Sequence, residues 1–173
     1  MIMSSELRVD RIIPTTGIPT GGGGGVIQVV NHESSSTFTT TSTSSVDVTG
    51  MSTTITRKNP NSKILVYHSA SINFYSGGGG NSGGGYVYVV RDGTTIDYGE
   101  NFVKIGNTTN NYIDNFNLVT TTCILDDPPA GNSAITYKIQ GLTTSGGQSR
   151  TMRYNSIMGS ARIAKLILME VSA

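Results

Sequence analysis

The run from Lys63 to Tyr75 alternates with a period of two. Ile64, Val66, His68, Ala70, Ile72 and Phe74 fall on one side, and Leu65, Tyr67, Ser69, Ser71, Asn73 and Tyr75 on the other. A helix would scatter these two sets around its circumference, whereas a strand separates them onto opposite faces. The segment is therefore a long strand, and its first set is the core face. A strand of this length cannot stand alone, so the chain must supply further strands to pair with it and a second layer to cover it.

Those strands are present. Tyr86 to Tyr98 places Asp92-Gly93 between two apolar alternating runs, and this dipeptide suits the positive φ angles of a type I′ hairpin turn. With that turn as pivot, Val89 is expected to face Ile96 and Val87 to face Tyr98, with Tyr88 and Asp97 on the opposite side. Val26 to Val30, Leu118 to Leu125 and Ala134 to Leu142 read as further strands, the last with Ile135, Tyr137 and Ile139 on one face. Ser34 to Thr56 is dominated by Ser and Thr, with Phe38, Val46, Val48, Met51 and Ile55 as sparse anchors, and reads as β structure rather than linker. Ala161 to Val171 has a composition that suits a helix and an apolar density that suits a buried strand, and strand is the reading adopted. The pattern predicts an all-β antiparallel sandwich or barrel over residues 26–173. Residues 1–25 form an extended N-terminal docking or oligomerisation arm with a glycine-rich linker, because Pro14, Gly17, Pro19 and Gly21 to Gly25 forbid a sustained helix. Leu7, Val9 and Ile12 in the arm are apolar and need a surface to pack on, which neighbouring copies of the chain would provide.

Composition narrows the function. Lys and Arg number 12 against 11 Asp and Glu, a formal net charge of +1 with 13% charged residues, which offers no field to steer nucleic acid or an anionic membrane. No apolar run approaches the roughly 20 residues of a membrane-spanning helix, and Met1 to Asp10 shows no basic region followed by an apolar one. Cys123 is alone, so neither an intrachain disulfide nor a thiolate cage is available, and it reads as a small buried strand residue.

Catalytic and metal chemistry find little support. His32 and His68 lie in different strands without ligand spacing, and His68 reads as a core histidine, so no metal and no cofactor is expected. Glycan hydrolysis needs two carboxylates roughly 5–10 Å apart. Asp97, Glu100, Asp114, Asp126 and Asp127 are the available groups, with Asp126-Asp127 most simply a turn and Asp97 a solvated hairpin residue. The tracts Gly77 to Gly80 and Gly83 to Gly85 open no helix and are not phosphate cradles. No nucleophile elbow occurs among the serines, so a non-enzymatic role is expected. Tyr75, Tyr86 and Tyr88 are the candidate receptor contacts, since tyrosine offers apolar area and a hydroxyl together. They suit equally the covering of a cross-strand neighbour or a subunit interface.

The arm Leu7-Arg-Val-Asp-Arg-Ile12, then Gly17, Pro19, the glycine run and Val26-Ile-Gln-Val-Val30, resembles the entry to C-terminal domains of phage tail fibres and related structural proteins, notably those of cyanobacterial phages. Met51-Ser-Thr-Thr-Ile-Thr56, Asn61-Ser-Lys-Ile-Leu-Val66 and the closing run that ends Leu-Met-Glu-Val support the likeness. The resemblance implies an antiparallel β-sandwich, jelly-roll-like head, assembled as a homotrimer in the virion, in the phage tail, with other tail or baseplate proteins and a host surface glycan or protein receptor as partners. It carries no catalytic residue. An adaptor, baseplate or capsid-decoration role is the alternative, and a glycan-cleaving enzyme or a free-standing lectin the more distant ones.

Overall fold

The computed structural model describes residues 25–76, 84–97, 115–144, 150–157 and 160–172. The described residues form twelve strands: β1 (Val26–Ser34), β2 (Phe38–Thr40), β3 (Val46–Thr56), β4 (Lys63–Ser76), β5 (Gly85–Arg91), β6 (Thr94–Asp97), β7 (Asn115–Asp126), β8 (Ala134–Thr143), β9 (Arg150–Tyr154), β10 (Ser156–Ile157), β11 (Ser160–Ala161) and β12 (Ala164–Val171). All the pairings are antiparallel.

β4 is the spine, as its unbroken alternation implies. One edge pairs along its length with β7, from Ile64 opposite Asp126 to Tyr75 opposite Asn115. The other edge is shared between β12, over Lys63 to Ser69, and β9, over Ile72 to Ser76. Asn155 makes the hand-over possible. It adopts a φ of 58°, a left-handed conformation that Asn tolerates better than most residues. Its N–H donates to the Ser71 carbonyl at 2.7 Å, and its side-chain amide donates to Ser34 at 2.8 Å and Ser36 at 3.2 Å. β1 flanks β12 and β2 flanks β9, which completes the first sheet in the order β1-β12-β4-β7 with β9 and β2 continuing it. The second sheet runs β3-β8-β5-β6. The six-stranded first sheet, whose β1-β12-β4-β7 run faces the four-stranded second, and these crossovers make a jelly roll.

The core lies between the sheets. Ile64, Val66, His68, Ala70, Ile72 and Phe74 are all buried, so the even-numbered face of β4 is the core face. Ile135, Tyr137 and Ile139 of β8 and Leu166 and Leu168 of β12 meet it. Each such aliphatic side chain contributes roughly 1.5–3 kcal/mol relative to exposure. The Ser/Thr-rich segment joins the second sheet through a device invisible in its composition. Gly50, with φ of 79°, accompanies a register shift between Asp47 and Ser52, and this resets the parity so that Val48, Met51 and Ile55 all point inward. The closing segment is strand, as β11 and β12.

Two expectations are corrected. Asp92 and Gly93 do take positive φ, 45° and 88°, but a bulge shifts the hairpin register so that Val89 opposes Asp97 rather than Ile96. Ile96 is the extra residue between Thr95 and Asp97, and it still packs against the core. Tyr98 lies outside the described residues. Cys123 is exposed rather than buried, because its odd parity on β7 puts it on the outer face, opposite Tyr67. The arm, with Leu7, Val9 and Ile12, lies outside the described residues.

Sheet packing is closest where glycine replaces a side chain. A Cβ on Gly85 would strike the Leu142 carbonyl oxygen and the Phe74 ring. Gly85→Ala is expected to destabilise the fold by about 3 kcal/mol, a drop of roughly 6–12 °C in Tm for a domain of this size, measurable by thermal and urea unfolding.

Candidate functional site

The sandwich has two unlike ends. At one, the β3–β4 loop, the β5–β6 turn and the β7–β8 loop meet Gly25 and Ser172, where the Ser172 N–H donates to the Gly25 carbonyl at 3.0 Å. At the other, β4, β6 and β8 end and β5, β7 and β9 begin. The first end is held by two buried polar networks that carry charge.

Glu170, on the core face at the end of β12, is fully buried. Its carboxylate accepts from the Lys58 and Asn59 N–H groups at 2.9 Å, the Gln28 amide at 2.6 Å and the Ser62 hydroxyl. Burial pushes the carboxyl up, but the Ser62, Lys58, Asn59 and Gln28 donors together hold it below the usual carboxylate range. Four donors on one carboxylate fasten the β3–β4 loop to β12 and β1. Arg57, also buried, donates to the carbonyls of Ser62 at 2.9 Å, Pro128 at 3.4 Å and Pro129, and so ties that loop to the β7–β8 loop. Beside it, Asp126 takes an ion pair from Arg91 at 2.6 Å and a hydrogen bond from the Tyr137 hydroxyl at 2.6 Å. Burial, then Asp126, pushes the Tyr137 hydroxyl well above its ordinary range, so it serves as a neutral donor.

Asp126 is thus a buried structural residue and not simply a turn. Asp127, its sequence neighbour, points the other way and pairs with Lys63 at 3.3 Å. Asp126 is buried within the sandwich, whereas Asp127 is exposed. Arg57, Arg91, Asp92, Pro128, Pro129 and Ile135 line a cleft of about 200 Å³. This is below the roughly 300 Å³ at which small-molecule sites begin. Glu100 and Asp114 lie outside the described residues. Among the described residues no three His, Cys, Asp or Glu side chains are grouped to hold a metal ion, and no helix is long and apolar enough to cross a membrane.

His68 is a core histidine, as its place on the apolar face implies. Its Nε2 lies 2.6 Å from the Tyr154 hydroxyl, and the two rings stack at 5.9 Å. Burial lowers its pKa from 6.5 to about 4, so it packs as the neutral imidazole.

The predicted tyrosines are partly brought together. Tyr86 and Tyr88, on the outer face of β5, stack at 5.9 Å with 15° between ring planes. Both are half-buried, and burial followed by the neighbouring Tyr86 raises the Tyr88 hydroxyl pKa, which keeps it a neutral donor and acceptor. The backbone of Tyr75 pairs with Asn115 and Thr151, and its side chain lies outside the described part. The result is a pair of near-parallel, half-buried phenol rings on the outer face of the second sheet, each offering apolar area with a hydroxyl.

No family model and no curated protein matches the chain. Among solved structures it is similar to dimeric latent PorU from Porphyromonas gingivalis, with 10% identity over 88% of this chain and a TM-score of 0.44. It is also similar to the infectious bursal disease virus Gx strain structure, with 15% identity over 93% of this chain and a TM-score of 0.33. The match spans only 14% of the first of those chains and 41% of the second.

Acid titration should report the two buried groups in separate windows. His68 has a lowered folded pKa, so its contribution is full above 6.5 and is lost as pH falls towards about 4, worth up to about 3 kcal/mol. Glu170 is also lowered, so its contribution persists above its unfolded value of 4.5 and is lost at still lower pH. Urea unfolding from pH 7 to 3 is expected to show both declines, and His68→Leu should flatten the first. Glu170→Gln should cost about 2–3 kcal/mol at neutral pH, because the two loop N–H groups lose a charged acceptor.

Proposed function

We propose that this chain is a structural component of a phage virion, a tail fibre or fibre-tip protein that attaches the particle to its host as a homotrimer, without catalytic activity. The observation that carries the reading is the stacked Tyr86–Tyr88 pair on the polar outer face of a rigid sheet. Paired tyrosines already held parallel lose little entropy when they engage a sugar or a protein surface. The resemblance of the arm and of the order of the sequence motifs to C-terminal domains of phage tail fibres supports the same reading.

Three heads on one fibre need no strong single site. Linked modules raise the effective concentration of the second and third contacts, so individually weak stacking sums to firm adhesion. Other tail or baseplate proteins are the partners on the arm side, and a host surface glycan or protein on the other.

Labelled full-length protein incubated with a panel of bacterial cells, cyanobacteria included, should bind one host saturably. Tyr86→Ala and Tyr88→Ala should each weaken that binding roughly tenfold, about 1.4 kcal/mol, while the protein still melts cooperatively. Absence of saturable binding to every host would overturn receptor contact and leave the adaptor or capsid-decoration role.

A further inference from the structure

The outer faces of the two sheets differ in chemistry. On the second sheet, Asp47 is bonded to Lys138 at 2.9 Å and Gln140 at 2.7 Å, and Thr54 to Thr136 at 3.1 Å. On the first sheet, strand register aligns apolar side chains into rows. Val29 opposes Met169, Met169 opposes Leu65, and Leu65 opposes Leu125, so one row is apolar across all four strands. The next row runs Asn31, Ile167, Tyr67, Cys123. Val29 and Leu125, at the two ends of the first row, are 55% and 56% exposed.

Charged rows border this strip on both sides, and each is closed on itself. Lys63 pairs with Asp127 at 3.3 Å on one side, and Lys165 pairs with Glu33 at 3.0 Å on the other. The arrangement is an apolar centre within a polar, neutral rim, as in protein interfaces.

We propose that this face, the outer surface of β1-β12-β4-β7, is where neighbouring copies of the chain pack on one another. The proposal rests on the homotrimeric reading above and names the surface that assembly uses. A second copy fits for two reasons. Because each charge is neutralised within its own row, an identical partner brings no unpaired like charge against the face. Four rows across four strands also cover on the order of 500 Å² of flat sheet, at ~4.8 Å between strands and ~6.8 Å between same-face neighbours. That is most of the roughly 800 Å² per partner that a standard interface removes from water. A glycan would find only the Asn31 amide and the Tyr67 hydroxyl in the two central rows, and an anionic lipid surface would find no cation there.

Light scattering on the full chain tests this against a Val29→Glu/Leu125→Glu variant, whose altered side chains are more than half exposed, and a Thr54→Glu control on the opposite sheet. The wild type and control are expected at the three-chain mass, and the double variant at the single-chain mass with a cooperative melt. Cys123, in the second row, provides an independent readout. In the wild type it should react with a thiol reagent about tenfold more slowly at concentrations where the chain assembles than after dilution, whatever the fate of the variant. A double variant that keeps the wild-type mass, a wild type that runs as a single chain, or a Cys123 rate independent of concentration would each overturn the proposal. Assembly retained in the variant would remove this surface while leaving the attachment reading intact, since cell binding by the wild type tests that reading separately.

Discussion

Burial of the even-numbered face of β4 is the constraint on which the rest of the structure depends. That face supplies Ile64, Val66, Ala70, Ile72 and Phe74 to the core, and β4 also pairs with β7, β12 and β9. A one-residue slip of β4 would turn every one of these side chains to the outer surface and break three ladders together. Register is therefore strongly fixed, and with it the two unlike outer faces of the sandwich. The apolar rows across Val29, Met169, Leu65 and Leu125 exist because the same pairings that bury one parity align the other.

Charge is buried where the sheets must close against loops. Glu170 and Arg57 lie at one end and satisfy the backbone of the β3–β4 and β7–β8 loops, while Asp126 binds Arg91 and Tyr137 between the sheets. Loop backbone that leaves a sheet has no ladder to complete its hydrogen bonds, and a buried carboxylate or guanidinium supplies several partners at once. These groups give a rigid end, and their burial suits them to structure rather than to chemistry on a ligand.

How much of this the sequence discloses depends on how far apart the partners are. The parity of Lys63 to Tyr75 is local, so it reads correctly residue by residue, as does the Asp92-Gly93 turn. The bulge at Ile96 and the parity reset at Gly50 are single-residue register events, and composition does not encode them. Glu170 lies more than a hundred positions from its loop donors and Arg91 lies 35 from Asp126, so neither network announces itself along the chain. Ala161 to Val171 suits both helix and strand for a physical reason. β12 is apolar on both sides, with Leu166 and Leu168 in the core and Ile167 and Met169 on the outer rows, so the usual alternation is hidden. Of the candidate contacts, the same-face placement of Tyr86 and Tyr88 follows from their spacing of two, whereas the exposure of Cys123 follows only from the pairing of β7 with β4.

The proposed roles assign the outer face of the first sheet to other copies of the chain and that of the second sheet to the host. Hydroxyl-radical footprinting of the full chain, read by mass spectrometry and normalised to each side chain's intrinsic reactivity, tests that division directly. The account predicts that Met169 and Tyr67 are protected in the assembled protein while Tyr86 and Tyr88 are oxidised. Oxidation of Met169 and Tyr67 as readily as of Tyr86 and Tyr88 would contradict it.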